Sequence, residues 1–196
     1  MKSNLTYTMA FWLIRLWLAA RAIGTGLTKF WGTEKVLSPE RLQELKDAGD
    51  FTDAAIKSIT NLEGRDVQIL SFDYYHGLPD SGPMSMEAFT SNPLMPSFMV
   101  GPYASALGFA LIGLGLALLL GICSRVTLFL MGLLYVSLTW GFIILEPTMG
   151  SASAAGIAYM GVHLILIIGG LMLADYNKFE LLGCKRFGFC KCCGEK

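Results

Sequence analysis

The sequence predicts an all-α integral membrane protein: an antiparallel bundle of four transmembrane helices with a small extracytoplasmic helical insert between the first and the second. Three observations predict it. Apolar stretches at residues 9–31, 98–123, 126–145 and 152–174 are each long enough to cross a hydrocarbon core, which takes roughly 20 helical residues. The chain is 54% hydrophobic and only 15% charged, and nearly all of its charges lie outside those stretches. The connections among the last three stretches are only a few residues long, which makes sequence neighbours spatial neighbours. Inside lipid every backbone N–H and C=O must be satisfied within its own segment, so the stretches should be helices. The 22 glycines are compatible with this, because small residues let membrane helices approach closely. An even balance, 15 basic against 15 acidic residues, argues against nucleic acid as a partner.

The first stretch has some features of a secretory signal. Lys2 supplies a basic start and Ala19-Ala20-Arg21-Ala22 is faintly like a cleavage site. Arg15 interrupts its apolar run, however, and a signal core is shorter and uncharged, so a retained helix is expected. Between the second and third stretches stand Ile122-Cys123-Ser124-Arg125, which requires a hairpin. The third and fourth are separated by Glu146-Pro147-Thr148-Met149-Gly150-Ser151, where proline and glycine mark the break.

Orientation follows from Lys and Arg in short loops. The tail, residues 175–196, carries Lys178, Lys185, Arg186, Lys191 and Lys196, and the 2–3 turn carries Arg125. The insert, residues 33–97, sets 5 basic residues against 11 acidic ones for a net −6. Both termini should face the cytoplasm and the insert should face outward. Within the insert, Ser38-Pro39-Glu40 reads as N-cap, first-turn proline and early acidic residue. Leu42, Leu45 and Ala48 follow as an apolar stripe. A second helix starts at Thr52, with Phe51 and Ile56 placed as a hydrophobic staple, and Ile59 and Leu62 continue its stripe. Val67-Gln68-Ile69 alternates as a short extended piece, and residues 78–96 read as a loop. The insert is expected to be a small cap that either covers the outer mouth of the bundle or meets a partner protein.

Ionisable groups within the spans are costly and need a partner or a wet cavity. Arg15 can snorkel toward the cytoplasmic interface along its stem, whereas Arg21, nearer the middle, should face the bundle interior or another subunit. Lys29 sits near the outer end of the first span, at the depth of Glu146, and the two form a candidate polar pair. Either one is equally at home as an interfacial, solvated group. Gly132, Tyr135, Thr139 and Glu146 share a stripe of the third span. Gly156, His163 and Gly170 recur every seventh residue on the fourth, with Tyr159 and Met160 beside them. A mid-membrane histidine suits an interhelical hydrogen bond, a proton carrier, a quinone contact or a haem ligand. His76 lies in the insert at another level, which disfavours bis-histidine haem. It belongs to Asp73-Tyr74-Tyr75-His76-Gly77, a pattern that serves interfacial packing or a ligand portal. The tail places Cys184, Cys190, Cys192 and Cys193 within ten residues, in a spacing unlike the paired C-x2-C of strong zinc sites. Metal binding and a basic tail lying along the membrane are the two readings.

Leu13-Ile14-Arg15-Leu16 with Thr28-Lys29-Phe30, Gly113-Leu114-Gly115-Leu116 followed by Gly121-Ile122-Cys123-Ser124-Arg125, and Ala174-Asp175-Tyr176-Asn177-Lys178-Phe179 together resemble the DoxX/DoxD family of small four-helix membrane proteins. The resemblance covers the four spans and excludes the insert and the cysteine tail; Arg21 is also unusual for it. It implies a bacterial or archaeal cytoplasmic-membrane protein tied to quinone-linked redox chemistry, the redox cofactor lying on another chain. A quinone headgroup would then lie among Arg21, Tyr135, Thr139 and His163. The alternative is a non-catalytic accessory subunit of a larger membrane complex. The chain itself has no dinucleotide fingerprint and no haem-binding pair.

Overall fold

The computed structural model describes residues 2–48, 52–78 and 85–177, with side chains described for all of these except 2–4, 146–149 and 152. The described chain contains four helices long and apolar enough to cross a membrane, at Leu5–Phe30, Ser97–Leu120, Ser124–Leu145 and Ser153–Tyr176. In order, the elements are α1 (Lys2–Leu27), β1 (Trp31–Val36), α2 (Pro39–Asp47), α3 (Asp53–Glu63), β2 (Arg65–Leu70), α4 (Met86–Thr90), α5 (Ser97–Leu120), α6 (Ser124–Met149) and α7 (Ser151–Leu173). They form two compact units, Lys29–Tyr75 on one side and the remainder of the chain on the other.

In the larger unit α1 packs on α5 and α7, and α6 packs on α7 and α5. Small residues bring α1 and α5 together. A Cβ on Gly26 would stand 2.5 Å from Ile112 Cγ1, and one on Gly115 would stand 2.7 Å from Ile23 Cγ1 and 3.1 Å from the Ala19 carbonyl. Phe11, Leu18, Ala22, Leu111, Leu118, Leu128, Met131 and Ile167 fill the core between the helices. Their other faces carry Leu13, Trp17, Ile165 and Met172, all more than half exposed, as lipid-facing surfaces require.

Helix α5 stops at Gly121, which takes the left-handed conformation (φ 74°), and Cys123 follows with φ 43° before α6 opens at Ser124. The break between α6 and α7 is tighter than the sequence indicates. Helix α6 runs on through Pro147, whose fixed φ suits a helix, and the interruption falls on Gly150 alone at φ 55°. Residues 78–96 are also not all loop. Ser85 caps the short α4, and buried Phe89 packs with Val100 and Leu145. Asn92 Nδ2 donates to the Ile144 carbonyl (3.1 Å), fastening this segment to α6.

The smaller unit is a two-stranded antiparallel sheet whose strands are joined through α2 and α3. Trp31 pairs with Leu70 and Val36 with Arg65, so the first span gives way to a strand at Trp31. Ser38 Oγ accepts from the Arg41 amide and Thr52 Oγ1 from the Ala55 amide, the two expected caps. Phe51 lies outside the described residues. Leu45 is buried, but Ala48 is exposed and Leu62 is 82% exposed, so the apolar stripes are only partly covered. Lys35 Nζ donates to the Asn61 carbonyl (2.8 Å), and Arg41 bridges Glu44 (2.9 Å) and Glu63 (3.4 Å). Tyr74 donates its phenol to Glu34, which lifts the Tyr74 pKa above its ordinary value because ionisation would break that bond and set two negative charges together.

Candidate functional site

Two polar clusters lie within the long helices. In the first, His163 projects from α7 toward α6 and is 2% exposed. The close approach comes from small residues around it. Gly156 faces the Phe142 ring, and Gly170 faces Ile14 and Leu128. Ser153, buried at the start of α7, donates to the Phe142 carbonyl (2.7 Å) and sets the register of the two helices. Tyr135, 4% exposed, stacks on the imidazole at 5.2 Å between ring centroids and 15° between planes. Tyr159, one turn before His163, also lies against it, at 4.5 Å between centroids with the rings tilted by 53°.

His163 Nδ1 lies 2.8 Å from the Tyr159 carbonyl. A carbonyl only accepts, so Nδ1 carries the hydrogen, and Nε2 of the neutral ring is left as an acceptor. That Nε2 is buried and has no hydrogen-bond partner among the described residues. Buried polar atoms are nearly always satisfied, so an orphan acceptor of this kind marks a place for a donor from outside. The Arg21 guanidinium lies over the Tyr159 ring at 5.3 Å, and its charge acts on both Tyr135 and His163. Thr139, from the same stripe as Tyr135, spends its proton on the Tyr135 carbonyl (2.8 Å) and offers only lone pairs.

The second cluster centres on Arg15. Arg15, expected to reach along its stem toward the interface, is 2% exposed, and Arg21, expected to face the bundle interior or another subunit, is half-buried. Arg15 donates from Nε to the Leu118 carbonyl (2.6 Å), from Nη2 to Leu119 (3.0 Å) and from Nη1 to Asn177 Oδ1 (3.3 Å). Trp12 lies under the guanidinium at 4.6 Å. The two carbonyls belong to the last turn of α5, where helix carbonyls lack internal partners and the dipole is negative. Asn177 in turn donates to buried Ser124 (2.9 Å), and Arg125 pairs with Asp175. Thr8 donates to the Tyr176 carbonyl (3.1 Å). One network thus joins α1, the end of α5, the start of α6 and the residues after α7. Its members are saturated by one another, which reads as structure, whereas His163 has an open valence.

Lys29 belongs to the smaller unit, and the Glu146 side chain lies outside the described residues. Cys184, Cys190, Cys192 and Cys193 also lie outside them, and among the described residues no three His, Cys, Asp or Glu converge as metal ligands. The Asp73–Gly77 stretch divides. The Asp73 amide donates to Ser71 Oγ (3.2 Å), which caps the turn that follows, Tyr75 packs on Phe30, and Gly77 presses its backbone onto the Ala104 carbonyl of α5.

Compared with known proteins, the chain matches no family model, no curated protein and no solved structure. Fold and site together define a class: a chain with four helices fit to span a membrane and a buried histidine, packed against two tyrosines, whose Nε2 is left as an acceptor.

Proposed function

We propose that this chain is a multi-pass membrane protein whose four spans form an antiparallel bundle, with both termini cytoplasmic, and that it binds a quinone headgroup at His163. The observation that carries this reading is the buried, unpartnered Nε2 of His163, flanked by two tyrosine rings and within reach of the Arg21 charge. The residues fit the group. A planar headgroup would stack on aromatic faces such as those of Tyr135 and Tyr159. Nε2 would accept a hydrogen bond from a hydroxyl of the reduced ligand, and Arg21 would stabilise negative charge on the ligand oxygen. Thr139 contributes at most a lone pair. A bound quinone supplies two-electron redox chemistry, exchanged with a cofactor on a partner subunit.

The test is the quinone content of protein purified from native membrane in mild detergent, read by mass spectrometry. His163→Leu is expected to lower bound quinone at least tenfold, the order expected for a charge-assisted or buried hydrogen bond lost with its partner stranded (~1.5–3 kcal/mol). Quinone retained by the variant at the normal level removes the site. Its recovery within a larger complex, with wild-type quinone content, would favour the accessory-subunit reading instead.

A further inference from the structure

A cavity of about 250 Å³ opens between α5, α6 and the segment that carries α4. Phe89, Met95, Val100 and Leu138 wall it, and Trp140, 60% exposed, stands at its rim. Its α6 wall lies away from His163: Ser137, which lines it, is two residues past Tyr135 and so points roughly 200° around the helix. Apart from the indole of Trp140 at the rim, the polar side chains among the described lining residues are a hydroxyl pair. Tyr103 Oη and Ser137 Oγ lie 2.8 Å apart, and Ser137 Oγ is also 2.7 Å from the Leu134 carbonyl.

Those two contacts assign the protons. The Leu134 carbonyl only accepts, so the Ser137 proton goes to it, and the Tyr103 proton must then go to Ser137 Oγ. Both hydroxyl protons are spent inside the protein. The Tyr103 oxygen still has a lone pair, so the hydroxyl pair offers a ligand an acceptor and no donor. A ketone, ester or carboxylate finds nothing to bond to at that pair, whereas a hydroxyl does; the indole N–H of Trp140, at the rim, is the other polar group of the lining side chains. A charged headgroup is excluded by the apolar walls.

We infer that this cavity binds an uncharged apolar alcohol, its hydrocarbon body against Phe89 and Val100 and its hydroxyl donated to Tyr103 Oη. The volume is just below the roughly 300–1,000 Å³ of drug-sized ligand pockets, which suits one end of a lipid-like alcohol with the rest leaving past Trp140. This site stands independently of the His163 reading.

Trp140 provides the readout. The full chain in mild detergent is titrated with a terminally brominated dodecanol and with its methyl ether, and quenching of tryptophan fluorescence is followed. The alcohol should quench saturably and bind roughly fivefold tighter than the ether, the factor one neutral hydrogen bond contributes. Trp140→Phe should remove the saturable component. Tyr103→Phe, which keeps the packed ring, should make alcohol and ether equal. Ser137→Ala frees the Tyr103 proton and should narrow the gap by strengthening the ether. Equal affinities in the unaltered protein, an alcohol preference that survives Tyr103→Phe, or saturable quenching that survives Trp140→Phe would each overturn the assignment.

Discussion

Two arginines six positions apart in one helix do different work, and the difference rests on what surrounds each guanidinium. Arg15 is buried with donors engaged by Leu118, Leu119 and Asn177; Arg21 is half-buried and meets a tyrosine face. Removing Arg15 strands the Leu118 and Leu119 carbonyls and breaks a junction of four chain segments. Arg15→Leu should therefore destabilise the protein by about 3 kcal/mol or more, and Arg15→Lys by only somewhat less, because a single ammonium cannot reproduce the guanidinium fork. Arg21→Leu should cost under about 1 kcal/mol and act on ligand binding instead, since a cation–aromatic contact at a half-exposed site contributes little to folding. Thermal unfolding in detergent measures both, and similar losses for the two variants would refute the division of roles. The partners of Arg15 are invisible in the sequence. Two of the three are backbone carbonyls of leucines, which any helix end presents, and no residue type marks them. His163 was legible: glycines at seven-residue spacing around a histidine predict a close helix contact, and Gly156 and Gly170 both make one.

At the scale of elements, glycine content alone does not separate essential from incidental positions, but geometry does. A Cβ on Gly77 would fall 1.9 Å from the Ala104 carbonyl and 2.8 Å from its Cα, all backbone atoms that cannot rotate aside. On Gly24, in the last turn of α1, a Cβ meets nothing within 4 Å. Gly77→Ala should thus destabilise by about 2 kcal/mol through forced separation of the 76–78 segment from α5. Gly24→Ala should be neutral or stabilise by up to about 1 kcal/mol, because alanine is the better helix former. The same detergent unfolding assay compares them, and a loss at Gly24 as large as at Gly77 would contradict the packing. The caps at Ser38 and Thr52 were readable because capping is local chemistry between neighbours. The pairing of Trp31–Val36 with Arg65–Leu70 was not, since it joins segments separated by two helices, and Trp31 reads equally well as the aromatic end of a span. Helix α6 outran its expected end for a related reason: proline in the last turn forfeits one donor but not the helical φ, so only Gly150 stops the chain.

For the molecule as a whole, the number of spans constrains which sides its parts occupy. Four crossings return the chain to the side where it began, and the single helix α5 lies between the Lys29–Tyr75 unit and Cys123. If α5 spans the bilayer, Lys57 on α3 and Cys123 in the turn after α5 must lie on opposite sides. The basic residues choose which side is which: Arg125 and the Lys/Arg of residues 175–196 favour the cytoplasm, whereas the acidic 33–97 segment, net −6, is free to be translocated. In a variant with the four tail cysteines changed to serine, a membrane-impermeant maleimide should label Lys57→Cys on intact cells. Cys123, the cysteine of the α5–α6 turn, should react only after permeabilisation. The reverse pattern would invert the orientation while leaving the span count intact. Labelling of both residues from one side would mean that α5 does not cross, and would remove the four-span arrangement itself.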